Sequence, residues 1–342
     1  MRTHVRNVIV VAVAIGLVAL FLRNVDLWRV ASDIVHARPE WLILSVILMT
    51  GNLVIRSLRW RYLLEPLGGT TFVNAFRATA VGFAASSILP ARVGEVIRPY
   101  FLARREKREQ MTATGAFATV ILERLLDIVT VLVLLASYVF IFGRELGATR
   151  PAIFAGLKWV GALSGIGSLG ALTVLFVLAG NPERLRTTLE RLERILPSSL
   201  AGLLARIAEK FARGLGAIRR PGRLLVALAW SFPLWLSIAT GIWCAAIAFQ
   251  IAVPYTGSFL ILAFLVLGVA VPTPGAVGGF HTAFRYGATT FFGAPDDAAV
   301  AAAIVLHLFS VVPSLVLGLL FAAQEGLNVA GMRQLAEAED NL

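Results

Sequence analysis

Pro90-Ala91-Arg92-Val93-Gly94-Glu95 and, 184 positions later, Pro274-Gly275-Ala276-Val277-Gly278-Gly279 interrupt two apolar runs of the same layout. Apolar segments 72–89 and 256–271 precede the two breaks, and 112–142 and 298–323 follow them. The same offset carries Glu123 onto His307, each inside an apolar helix. Pro90, Gly94, Pro272, Pro274, Gly275, Gly278 and Gly279 are the helix-breaking residues. Proline and glycine free backbone groups that lipid cannot satisfy, so such breaks persist only where protein or a wet cavity supplies partners. Paired broken helices at corresponding positions of two halves point to a binding site between inverted repeats.

Composition sets the class. Of 342 residues, 58% are hydrophobic and 15% charged, with a mean hydropathy of +0.80, beyond an ordinary soluble domain. Ten-residue alternating segments of a membrane barrel do not occur, so an all-α polytopic membrane protein is expected. The single cysteine, Cys244, lies in an apolar span and cannot form an intramolecular disulfide. A net charge of +11 fits Lys- and Arg-rich cytoplasmic loops better than nucleic-acid binding. No P-loop, His-Glu-x-x-His, Gly-x-Ser-x-Gly or Cys-rich spacing is present, so no cofactor or metal is expected.

About six full spans plus two hairpins follow from the apolar runs: 8–22, 41–58, the hairpin 72–102, 112–142, 153–179, 224–249, the hairpin 256–292, and 298–323. The first has no small-x-small cleavage site after it and is read as an uncleaved span. Arg56, Arg59 and Arg61, beside Trp60 and Tyr62, have the composition of an interfacial belt, with the arginines snorkelling toward headgroups. Positive clusters at the N-terminus, 56–61, 104–108, 183–223 and the tail place both termini on the cytoplasmic side of the cell (inner) membrane. The first hairpin then enters from the cytoplasm and the second from outside. Length alone leaves open whether each hairpin is re-entrant or spans fully. The expected organisation is one membrane domain, 1–342, built of repeats 1–142 and 153–323, the second interrupted by a basic amphipathic insert at 181–223. Leucines at spacings of three and four with interleaved arginines suit 183–223 to an anionic leaflet, with docking of a soluble partner as the alternative. Gly161 and Gly165 in the fourth span have the spacing of close helix packing, compatible with a homo-oligomer.

Ionisable groups at membrane depth are functional candidates. Glu123 falls about eleven residues, or ~16 Å, into its span, with Asp127 one turn further on the same face and Arg124 beside it. His307 approaches the same depth from the other side. Arg92, Glu95 and Arg98 share one face of the helix after the first break, and His281 and Arg285 occupy the matching helix after the second. Guanidinium forks suit phosphate oxygens, and the starts of the two post-break helices offer free N–H groups, so each half has the makings of an anion site. The alternative is a buried structural pair such as Glu123 with Arg92 or Arg98. Glu123 and His307 are the pair expected to respond to pH if protons drive transport.

Three motifs then carry a resemblance: Arg56-Ser-Leu-Arg-Trp-Arg-Tyr-Leu-Leu64, Ser87-Ile-Leu-Pro-Ala-Arg-Val-Gly-Glu-Val-Ile-Arg98 and Leu122-Glu-Arg-Leu-Leu-Asp127. In this order they resemble the transmembrane region of the lysylphosphatidylglycerol synthase/flippases, the multiple peptide resistance factor family, and its stand-alone flippase-like members. Pro272-Thr-Pro-Gly-Ala-Val-Gly-Gly-Phe-His281 is similar to the family's Pro-Gly-Gly-rich segment, with His281 where the family pattern has a glutamate. The resemblance implies translocation of a phosphate-bearing lipid, anionic or aminoacylated, without an aminoacyl-transferase domain in this chain. Two alternatives stay open: a membrane-embedded transferase acting on a polyprenyl-phosphate or phospholipid with Glu123 or Asp127 as base, and a non-catalytic partner of an envelope glycosyltransferase.

Overall fold

The computed structural model describes residues 25–89, 92–180, 221–271 and 273–325. The expected first span, most of the basic insert, the tail, Pro90 and Pro272 lie outside these residues. Ten helices are described: α1 Leu27–His36, α2 Pro39–Leu63, α3 Phe72–Ile88, α4 Gly94–Glu106, α5 Ala113–Thr149, α6 Pro151–Gly180, α7 Pro221–Ala248, α8 Gly257–Ala270, α9 Gly279–Phe292 and α10 Asp296–Gln324. Among the described residues, five helical stretches are long and apolar enough to cross a membrane: Pro39–Leu63, Ala113–Gly143, Pro151–Gly170, Gly222–Ala248 and Asp296–Gln324. They coincide with the second to sixth full spans expected from sequence. Between the expected first and second spans lies a further short helix, α1, whose start is capped by Asp26 accepting from the Trp28 and Arg29 amides.

Helix ends follow local chemistry. Pro39 and Pro151 open α2 and α6, where the missing N–H costs nothing. Thr71 caps α3, accepting from the Asn74 amide at 3.2 Å, and α3 ends two residues before Pro90, since the residue preceding proline is pushed out of helical backbone. Asp296 and Asp297 fill the first turn of α10, favourable at the positive end of the helix dipole.

Each break forms a hairpin. The arms α3, α4, α8 and α9 have 17, 13, 14 and 14 residues. At 1.5 Å per residue they measure ~20–26 Å, short of the ~30 Å hydrocarbon layer. Glycines make the arms close: a Cβ on Gly94 would overlap the Gly82 carbonyl, and one on Gly279 would overlap that of Gly268. The two crossings occupy nearly equivalent positions of the halves.

Packing partners repeat the same equivalence. Shifting α2 by 184 residues lands it on α7, and α3, α4 and α5 land on α8, α9 and α10. α2 packs on α7; α3 on α10, as α8 on α5; α4 on α5, as α9 on α10; α2 on α3, as α7 on α8; and α2 on α10, as α7 on α5. Exchanging the two sets of four leaves these pairings unchanged. α1 rests on α10 and α6 on α5, outside that exchange.

Candidate functional site: an arginine-lined cavity where the breaks meet

The two breaks touch. Arg92, with φ 55°, donates from Nη2 to the Val269 carbonyl near the end of α8, at 2.7 Å. Gly275, with φ 59°, lies against the end of α3, where an added Cβ would come 3.3 Å from the Ser87 carbonyl. Ala276 also has positive φ, 57°, so each break carries a non-glycine residue in the sparsely populated left-handed region. His307 on α10 hydrogen-bonds the Gly275 carbonyl through Nε2 at 2.8 Å. That bond joins the second break to the helix behind it.

A cavity of about 490 Å³ opens between the hairpins. Asn52, Arg56, Arg92, Glu95, Arg98, Arg124, Asp127 and His307 line its polar part, beside Ser86, Ser87 and Ser310. Met49, Phe83, Ile238, Leu262, Leu265 and Val266 contribute apolar wall. That volume lies within the ~300–1,000 Å³ of ordinary ligand pockets.

The charged side chains form one network. Glu123, fully buried on α5, accepts from Arg98 Nη1 at 2.7 Å and from Arg59 Nη2 at 3.3 Å. Asp127, one turn on, accepts from Arg59 Nη1 at 2.6 Å and Trp235 Nε1 at 2.9 Å, and faces Arg124 at 3.5 Å and Arg56 at 3.9 Å. Ser231 on α7 takes a further bond from Arg59 at 2.6 Å. Arg98 lies 3.7 Å above the Trp60 ring, whose Nε1 donates to Thr119, so the guanidinium is held by charge on one side and by the π face on another. Glu95 sits at 3.4 Å from Arg124 and 3.8 Å from Arg92.

Arg92, Glu95, Arg98, Arg124, Asp127 and His307 thus meet at one cavity, with Glu123 immediately behind it as the partner of Arg98. Of the two sequence readings of Glu123, the structure shows the pairing, with Arg98 as expected and with Arg59 in addition. His281 begins α9, accepts from the Gly278 amide at Nδ1, and stacks edge-on against His307 at 4.5 Å between centroids. It stands behind the cavity wall. Arg285 does not reach the cavity: it pairs with Asp296 at 3.0 Å. Glu123 and His307, expected to act together, fall in separate networks, one of arginines and one around Gly275.

Arg56 and Arg59 correct the sequence reading most. Read as interfacial, they are buried, at 5% and 0% exposure, and they anchor α2 to the α5 carboxylates. Their signal was present: Asn52, Arg56 and Arg59 recur at spacings of four and three, one face of α2, whereas exposed Arg61 lies elsewhere on the helix. Aromatic neighbours drew them into the interfacial class.

A profile of the lysylphosphatidylglycerol synthase TM region matches residues 7–318. The chain belongs to that family. It is an integral, multi-pass membrane protein. It is also similar to the UPF0104 membrane protein MJ1595 of Methanocaldococcus jannaschii, 29% identical over 125 residues. That match covers 36% of this chain and 36% of the relative, about a third of the relative's own length.

Proposed function

We propose that this protein translocates a phosphate-bearing lipid between leaflets, with the headgroup held by arginines in the cavity where the two breaks meet. One observation carries this: Arg56, 5% exposed, lines the cavity with no hydrogen bond to Nε or Nη1, and Arg98, on the same lining, has none to Nε or Nη2. Buried guanidinium donors without acceptors are costly, and phosphate oxygens supply the geometry they lack. The start of α4, which has no side-chain cap, adds a positive dipole end at Gly94 and Glu95 on the same cavity wall.

The halves α2–α5 and α7–α10 act as inverted repeats with re-entrant hairpins, entered from opposite sides. Their arm lengths, the exchange of packing partners and the charge distribution support this arrangement, which places the breaks near the bilayer middle and both termini in the cytoplasm. Rocking one half against the other would expose the headgroup alternately to each side while the tails stay in lipid. The carboxylates a transferase would need as base are already engaged, Glu123 by two arginines and Asp127 by Arg59 and Trp235. This favours transport over group transfer.

Reconstitution tests it. Vesicles containing the protein and a headgroup-labelled anionic phospholipid should equilibrate the label across the bilayer faster than protein-free vesicles. Arg92→Ala, which removes a rim guanidinium 2.7 Å from Val269 O, should slow this roughly tenfold, the loss of about one charge-assisted hydrogen bond, with expression unchanged. Equal rates with and without the protein would refute translocation.

A further inference from the structure

The network around the cavity does not balance. Arg56, Arg59, Arg92, Arg98 and Arg124 face Glu95, Glu123 and Asp127, and seven contacts of 2.6–3.9 Å link all eight groups into one cluster. Among the described residues the cluster holds five guanidiniums against three carboxylates, a surplus of two positive charges. Two of the five, Arg92 and Arg124, line the cavity with side chains 40% and 32% exposed, and the other three are buried. Arg56, Arg59 and Arg98 are 5%, 0% and 3% exposed, and each has a buried nitrogen without a hydrogen bond. Every carboxylate, by contrast, has at least two guanidiniums within 4 Å.

Such a site discriminates by ligand charge. A headgroup with one negative charge leaves one guanidinium of the cluster uncompensated, a zwitterion leaves the surplus intact, and a cationic aminoacyl group finds every carboxylate of the cluster occupied. A headgroup with two negative charges neutralises the cluster. We infer that the cavity selects a lipid whose headgroup carries two negative charges, a phosphomonoester or diphosphate ester, over the singly charged phosphodiesters and over zwitterionic or aminoacylated lipids. The inference rests on the translocation reading for its setting, yet concerns the identity of the headgroup alone. The phosphomonoester group also occurs on soluble molecules. Apolar wall from Phe83, Ile238, Leu262 and Leu265 favours the lipid form.

The test is a binding titration on the full chain in detergent at pH 8, where a phosphomonoester is doubly charged because its second pKa is about 6. The probes are phosphatidic acid, phosphatidylglycerol, phosphatidylethanolamine, lysyl-phosphatidylglycerol and inorganic phosphate. Phosphatidic acid should bind at least about tenfold tighter than phosphatidylglycerol and more tightly still than the other two lipids, with inorganic phosphate failing to compete at equal concentration. Arg56→Gln and Arg124→Gln, each removing one positive charge, should shrink that preference to roughly twofold. Should Arg56→Gln misfold, Arg124→Gln, on a side chain about a third exposed, carries the test. Equal binding of phosphatidic acid and phosphatidylglycerol, or a preference that both variants retain, overturns the charge selection. Tighter binding of inorganic phosphate than of any lipid overturns the lipid assignment. Equal binding with translocation intact removes the selectivity and leaves the transport function standing. Selective binding by a protein that moves no lipid does the reverse.

Discussion

Replacing Arg59 by methionine removes the one side chain, among the described residues, that bonds both Glu123 and Asp127. Its guanidinium is fully buried and donates to Asp127 at 2.6 Å, Glu123 at 3.3 Å and Ser231 at 2.6 Å. Methionine has similar length and no charge, so the packing of α2 against α5 and α7 survives while the three bonds do not. Breaking a buried ion pair from one side costs about 3–5 kcal/mol, because the remaining charge is stranded. Here the stranding is partial. Asp127 keeps Arg124 at 3.5 Å, Arg56 at 3.9 Å and the Trp235 donor, and Glu123 keeps Arg98 at 2.7 Å. The lower end, about 3 kcal/mol, is therefore expected. At ~2–4 °C per kcal/mol this is a fall in Tm of roughly 6–12 °C, read as loss of the monodisperse peak after heating in detergent. Arg59→Lys keeps the charge and loses the fork, and should fall between Arg59→Met and wild type. Arg61→Met, on the exposed neighbour, serves as the control and should match wild type. An Arg59→Met protein melting within about 2 °C of wild type would refute the reasoning, since a guanidinium so placed cannot be removed at that small a cost.

Other perturbations probe the hairpins and the topology. Gly94→Ala drives a methyl into the Gly82 carbonyl and should destabilise by about 1–3 kcal/mol, whereas Gly156→Ala, with open space around it, should be tolerated; equal thermal stability of the two would contradict the glycine crossing. Ser87→Cys with Gly275→Cys, in a Cys244→Ala background, should crosslink within the chain under mild oxidation and arrest translocation, and failure to crosslink would mean the breaks do not meet in the membrane. Single cysteines at Arg104 and Asp297 should react with an impermeant thiol reagent from opposite faces of the membrane, in that same background; labelling from one face would remove the inverted topology.

Much of the architecture was legible in the chain because lipid imposes a coarse rule. Backbone groups must be satisfied within each span, so long apolar runs become helices, and prolines and glycines mark where that rule is relaxed. The five described spans and the positions of the two breaks followed from that rule. Tertiary structure alone decided which arginine meets which carboxylate. Charge near an aromatic cluster reads the same at a membrane surface as in a buried network, and only the packing of α2 between α5 and α7 turned Arg56 and Arg59 inward. Arg285 and His281 lie on the helix that matches the one carrying Arg92, Glu95 and Arg98, where a second anion site was expected. Asp296 captured one, and the other took up the Gly278 amide and the His307 ring. Spacing along a helix fixes the face a side chain occupies, but its partner is set by contacts between residues as far apart as Arg59 and Ser231, which pattern along the chain does not encode.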